Sequence, residues 1–591
     1  MMGSNRLIRW IACGLLLGLF LSPLDQSGRA SAAGKDESSR NTRPRTHQVV
    51  LVPIDDRPAT TQFTQMIGAI ADARVVIPPR DALGTFITGG NPERIAAWLR
   101  GLDFSKVDAV VLSTDMLAYG GLMTSRTAAT SLDTARRRLE IFAELRRKNP
   151  RLPIYAFNAV QRVALSASAA NRPYRDRLAR WSVLAQQKEI TGDPRLKSEF
   201  EKLQQSIPPA AIKDYLDARA RNLEINYQML ELTQKGIVNE LLLLQDDAQP
   251  YGLHRIDQGR LRERIQELKL SDPQAKLYDG ADEGSSVLVS RALLAKSAFS
   301  PRINVNYSSE AGRKATGTFE DQTIETSVER QISGSGAQIT SNAAEADYTL
   351  YVNAPDQTDA DFQRFLAKLV SDVQSGKRVA IADVYFQNHW GGSDQRLIEA
   401  LGREHLLDRV IGYASWNTPG NTLGTVVPQA NMYVLALREL KGDKRRAARI
   451  EAAQASFLLH RYIGDYGYHT LVRPEINSYA RSTMKIEVEE LDQITYQRLN
   501  AMVVERMQEV AGKIFADYFK GRSYHLNQNG TGGDPSIVVQ HMRNLQVRLP
   551  WPRTFEVWVD YSLDFRERAT EKIPQTTSIN TRFRKRASAP I

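Results

Sequence analysis

The chain has 591 residues, one cysteine, 25% charged residues and a formal charge of +11. A single cysteine excludes disulfides and cysteine-ligated zinc. Basic residues are mixed with acidic ones outside 441–449 and 582–586, which excludes the focused footprint of a nucleic-acid protein and leaves an anionic cell wall or membrane surface as the charge-based partner.

Residues 1–32 read as a secretory signal. Arg6 and Arg9 precede an apolar run over 10–21, and Ala30-Ser31-Ala32 is a cleavage site. The other reading of this segment is an uncleaved anchor. Cleavage removes Cys13, three arginines and one aspartate, leaving +9. The expected location is secreted or extracytoplasmic, in the cell envelope, with no membrane span after signal removal. Residues 33–46 are rich in Gly, Lys, Ser, Arg and Pro and read as a disordered leader.

From His47 strands and helices alternate. Strands are expected over 47–54, 74–77, 109–112, 153–157, 240–244 and 276–278, and helices over 60–71, 92–102, 132–148, 258–268 and 285–296. Asn91 caps the second helix and Pro92 sits in its first turn. Residues 171–235 look like a polar helical insertion. The alternation resumes with strands over 302–307, 348–352, 378–382 and 410–413 and helices over 320–333, 359–375 and 394–401. This pattern predicts an α/β fold with parallel sheets. Its N-terminal domain over 47–300 is either barrel-like or an open sheet, and a second, smaller α/β domain covers 301–425. Residues 420–422 lead into an apolar helix expected over 425–438, and a mainly helical region over 426–591 ends in a β tail over 547–564, where Trp551, Phe555, Trp558 and Tyr561 alternate.

Acidic and amide residues gather where the apolar runs end, and the carboxyl ends of parallel strands share one side. Carboxylates there are costly unless bonded, paired or used. Asp246-Asp247 follows Leu241–Leu244. Alternate strand residues point apart, so a turn is needed to bring both carboxylates to one ligand, and Pro250 and Gly252 supply one. Two close carboxylates split their pKa values into an acid and a base. The plainer reading is a cap plus a loop carboxylate.

Asp55-Asp56-Arg57-Pro58 offers an arginine that either holds its loop or binds substrate bidentately. Asp282-Glu283 precedes a helix, where acids also serve as dipole partners. Asp115 lies ahead of Gly120-Gly121, which permit close approach of a ligand without forming a phosphate loop. Trp416 can stack on a sugar face while Asn417 and Asn421 bond hydroxyls, or the Trp is simply buried. Asn388 has a similar setting. The histidines show no HxH or HExxH spacing and no GxSxG elbow is present. No cofactor is expected, while a carboxylate-bound Mg²⁺ or Ca²⁺ stays open.

The segments VPIDDRP, DMLAYGGLMTSR, LLLQDDAQPYG, YDGADEGSSVLVSRAL, ADVYFQN, GYASWNTPGNTLG and RYIGDYGYHTLVR resemble the bacterial family catalogued as domain of unknown function 4127, over roughly residues 48–520. That resemblance implies no particular chemistry. The order of Asp246-Asp247 and Trp416-Asn417 is also similar to retaining β-N-acetylglucosaminidases of the O-GlcNAcase and hyaluronidase-like type. This second resemblance implies that Asp246 orients a substrate acetamido group, Asp247 is the general acid/base and Asn417 bonds sugar hydroxyls.

The reading that follows is a secreted glycan hydrolase with Asp246 and Asp247 catalytic. Substrate contacts come from Asp55, Asp56, Arg57, Asp115, Asp282, Glu283, Asn388, Trp416, Asn417 and Asn421. Its rivals are a Mg²⁺- or Ca²⁺-dependent hydrolase using Asp55, Asp115, Asp246 and Asp282, and a non-catalytic cell-surface glycan-binding protein.

Overall fold

A computed structural model describes residues 47–168, 170–386, 391–526 and 535–568. The signal and leader readings, the 582–586 basic run and Asn388 lie outside the described residues. Among those described, no helix is long and apolar enough to cross a membrane.

Strands β1 (His47–Val52), β2 (Ala73–Val76), β3 (Ala109–Ser113), β4 (Ile154–Val160), β5 (Glu240–Gln245) and β6 (Ala275–Asp279) form an open parallel sheet. Its order is β2-β1-β3-β4-β5-β6, so the barrel-like alternative does not form. Strands β7 (Arg302–Tyr307), β8 (Gln338–Ile339), β9 (Tyr348–Asn353), β10 (Val379–Asp383) and β11 (Gly412–Ala414) form a second parallel sheet, ordered β11-β10-β9-β7-β8. Both sheets reverse direction of growth beside their first strand, a topology that opens a crevice beyond the carboxyl ends. Every residue of β3, β4, β9 and β10 is buried, as expected of strands covered on both faces.

The insertion forms helices Arg175–Thr191, Pro194–Ser206 and Pro209–Gln234, with a satellite core around Trp181 and Tyr215. The helix expected over 132–148 breaks at Leu139 into Leu132–Arg138 and Glu140–Lys148. The helix expected from 425 begins at Pro419 and runs to Glu439, so residue 425 falls inside it. This helix is buried on nearly all sides. It packs on helices Gln62–Ile70, Gly284–Lys296 and Ile324–Gly334 and on β10 and β11. One continuous core joins both sheets through it, from Leu51 and Leu244 to Val426, Leu350 and Ala380. Its buried amides are bonded: Asn431 donates to Ser335 Oγ at 3.0 Å, and Gln429 Oε1 accepts from Tyr413 N at 3.1 Å.

Helix Lys444–Arg461 continues into a π-helical stretch, Tyr462–Val472, and then helix Arg473–Tyr479. The antiparallel tail is β12 (Ser523–His525), β13 (Ser536–Arg548) and β14 (Trp558–Arg568). The tail expected over 547–564 takes in the end of β13 and most of β14. Trp551 and Phe555 alternate like strand residues but belong to the loop between β13 and β14, where Pro552 interrupts any ladder.

Candidate active site

A cavity of about 310 Å³ opens at the carboxyl ends of β1, β5 and β6. Its wall also takes residues from the loops after β4 and β11, from helix Arg473–Tyr479 and from the β13–β14 loop. Asp246, Asp247, Asp282, Arg57, Asn417 and Asn421 all face it. Parallel pairing within each sheet puts these strand ends on one side, and the shared core brings the β11 loop of the second sheet to the first.

The acidic pair splits between two arginines. Arg126 Nη2 donates to Asp246 Oδ2 at 2.5 Å, while Arg162 Nη1 donates to Asp247. Arg162 is oriented by its Nε bond to the Ala164 carbonyl at 2.9 Å. The turn that brings both carboxylates to the cavity puts Asp247 at φ +20°. Asn417, also on the wall, sits at φ +57°, a left-handed conformation that asparagine tolerates. With Phe86 at +47° and Phe319 at +64°, four non-glycine residues of the wall have positive φ, backbone strain of the kind that collects at functional sites. Burial pushes the Asp247 carboxyl above its ordinary pKa, outweighing the Arg162 cation.

Arg57 fastens two strand ends together. Its Nη1 and Nη2 donate to Asp282 at 2.9 and 2.5 Å, and its Nε and Nη2 to Asp55 Oδ2 at 2.9 and 2.7 Å. Asp55 stands behind Arg57 rather than on the wall. Asp56 accepts from Trp551 Nε1 at 2.7 Å and from Thr85, which ties the β1 end to the β13–β14 loop.

Five of the expected residues do not line the cavity: Asp55 and Asp56, and also Asp115, Glu283 and Trp416. Asp115 lies on a short helix, Thr114–Tyr119, that follows β3 directly, and its Oδ2 accepts from Ala159 N at 2.8 Å. Burial pushes its pKa up to about 7, and neighbouring Asp246 adds to the shift. Glu283 accepts from Asn421 Nδ2 at 2.6 Å and Gln331 Nε2 at 3.0 Å, and burial pushes it up to about 8. Trp416 is a core residue, edge-on to Phe63 at 5.9 Å with its Nε1 on Thr425 at 3.1 Å. It offers no face to a sugar. Asn388 lies outside the described residues. Among the described residues, no three His, Cys, Asp or Glu side chains gather as a metal-holding group.

Glu320 is a wall residue that the sequence reading placed at a helix start. The helix instead begins at Ile324, leaving Glu320 in the preceding loop, where its Oε1 accepts from Gly420 N at 2.5 Å. Ser327 Oγ lies 2.9 Å from both Glu320 Oε2 and Asp279 Oδ2. A hydroxyl has one proton. It donates to one carboxyl, so the other must donate to it. Arg330 lies 3.2 Å from Asp279 and favours its ionised form, which leaves the proton on Glu320. Burial, with the charge of Asp279, raises the Glu320 pKa to about 8.

Apart from Arg57, the arginines of the wall were also missed. Arg126 and Arg473 were present in the quoted segments DMLAYGGLMTSR and RYIGDYGYHTLVR, and Arg162 follows β4. A search for acids at strand ends passes over a strand that ends in a base.

A family model described as Protein of unknown function (DUF4127) matches residues 49–560. No curated protein matches the chain.

Proposed function

From the premise that the chain belongs to the DUF4127 family, we propose that it is an exported hydrolase that cleaves a glycan by carboxyl chemistry in the strand-end cavity. The observation that carries this reading is the meeting of Asp246, Asp247 and Asn417 on one wall, although they come from different sheets. Their order and type match those of retaining β-N-acetylglucosaminidases. Asp247 then exchanges the proton with the glycosidic oxygen and attacking water, Asp246 orients the substrate, and Asn417 bonds sugar hydroxyls. Asp247, paired with a guanidinium, and Glu320, which keeps its proton, are two carboxyls in contrasting environments on one cavity. Asp247 is the one assigned the transfer, because burial raises its pKa and so favours the proton that it first gives to the glycosidic oxygen.

In this mechanism, Asp247→Asn cuts turnover by ~10²–10⁴-fold, the usual range for a general acid/base, while substrate still binds. The pH–rate profile loses its alkaline limb, the one set by deprotonation of the general acid. A second reading has its own support: Asp246 and Asp247 each sit in an ion pair, as carboxylates with structural duties do. Under it the protein binds glycan without cleaving it, and Asp247→Asn lowers the melting temperature only. Turnover per folded molecule and melting temperature, measured together on a glycan panel, separate the two. A destabilised but fully active variant ends the catalytic assignment.

A further inference from the structure

A second cavity, of about 840 Å³, opens at the amino ends of β9, β10 and β11. This is the opposite end of the second sheet from the β11 loop that reaches the first cavity. Among the described residues, the two walls share none. Helix Pro419–Glu439 runs from one to the other. Asn421 in its first turn lines the first cavity, while Tyr433 and Leu437 in its C-terminal half line the second.

The charges of this second wall are sorted by depth. Lys377, Arg378 and Arg409 stand exposed at the mouth. The acids lie inside, with Glu451 7% and Asp408 8% exposed. Glu451 Oε1 accepts from the Tyr433 hydroxyl at 2.8 Å, and among the described residues no cation pairs with this carboxyl. Burial pushes its pKa up to about 7, opposed by the Tyr433 bond. Asp408 Oδ1 has no hydrogen-bond donor among the described residues, and Arg522 Nε is 3.7 Å away. Tyr524 is 8% exposed, and its buried hydroxyl likewise has no partner among them. Burial, with the charges of Asp408 and Glu451, pushes the Tyr524 pKa up.

A buried carboxyl without a cation, a carboxyl oxygen without a donor and a hydroxyl without a partner are each costly in a folded chain. One group serves all three. A primary ammonium brings a positive charge and three N–H donors. The bases at the mouth do not exclude it. They stand in water, where salt screens their field beyond about 8 Å, whereas a pair formed with a buried carboxylate is screened much less.

We propose that this second cavity binds a small organic molecule through a primary ammonium, which seats against Glu451 with Asp408 and Tyr524 as further acceptors. The carbon chain of the ligand lies along Leu437, Leu440 and Ala447, the apolar part of the same wall. The inference is independent of the glycan reading and of the first cavity.

The test uses the full chain near pH 8, above the pKa of Glu451. Calorimetry compares n-butylammonium chloride with 1-butanol, its uncharged counterpart, and with tetramethylammonium chloride, which has charge but no N–H. The expected result is that butylammonium binds about tenfold or more tightly than either, as hydrogen bonds to charged groups require. It should also raise the melting temperature above that in sodium chloride at matched ionic strength, as a ligand of the folded state does. Glu451→Gln keeps an acceptor for Tyr433 and should abolish the preference. Tyr524→Phe removes a hydroxyl that has no partner in the fold, and should weaken butylammonium by about three- to tenfold while leaving 1-butanol unchanged.

Equal affinity for butylammonium and 1-butanol overturns the proposal, and so does equal affinity for tetramethylammonium. Binding of none of the three also overturns it, and leaves the polar groups to water. A preference that persists unchanged in both variants overturns it as well, because the ammonium then sits elsewhere, at the acids of the first cavity. If Glu451→Gln fails to fold, Tyr524→Phe and the comparison of the three compounds still decide.

Discussion

A carboxyl that keeps its proton inside the fold but loses it when unfolded makes stability fall as pH rises. Glu320, held up to about 8 against an ordinary 4.5, is such a group, and Glu283, also held up to about 8, is another. Below the unfolded pKa both states are protonated and nothing is lost. Above it the unfolded chain binds fewer protons, so stability declines until the folded carboxyl titrates. Glu320→Gln imitates the protonated form: its amide donates to Ser327 while its carbonyl accepts from Gly420. The variant should therefore melt with the wild type near pH 5 and above it near pH 8, with a flatter profile between. Equal loss of melting temperature at both pH values would show that Glu320 is ionised in the fold. Little of this was legible in the sequence. Asp246, Asp247, Asp282 and Asn417 could be found because a strand end advertises polar residues. Glu320 could not, since its neutrality depends on Ser327 and Asp279 meeting it in space. Trp416 misled because a buried indole and a sugar-stacking one look alike in composition.

Helix Pro419–Glu439 is the element on which the site depends. Its N-terminus carries Asn421 to the cavity, with Thr418 as its cap at 3.2 Å from Asn421 N, and its body separates the two sheets. Leu423 is fully buried there. Leu423→Ala should cost about 2–5 kcal/mol, the range for a leucine truncated in a core that cannot collapse. Chemical denaturation measures it, and a loss under about 1 kcal/mol would mean that the site repacks freely. The strands of both sheets were readable because runs buried on both faces are nearly continuous in Val, Ile and Leu. This helix was read six residues short. Thr418-Pro419 fits a cap followed by proline in the first turn, but Gly420 and Asn421 looked like a turn. Within the β tail, Trp551 and Phe555 read as strand residues for a different reason. Alternation of aromatics marks a face in a strand and a stacked ladder in a loop, and sequence periodicity does not separate them.

At the scale of the whole molecule, two sheets of like topology share one core instead of standing apart. The expectation is a single calorimetric transition for the described fold, moved as a unit by Leu423→Ala. Two resolved transitions, with only one shifted, would show that the sheets melt independently.

The bond from Trp551 to Asp56 joins residues 495 positions apart. A chain made from its N-terminus presents the acidic strand ends long before the loop that faces them. Until that loop arrives the cavity lacks one wall, so the cavity is complete only once the C-terminal part of the chain has been made and folded. The same geometry makes the β13–β14 hairpin a place where a single proteolytic cut can disarm the molecule while both parallel sheets stay folded.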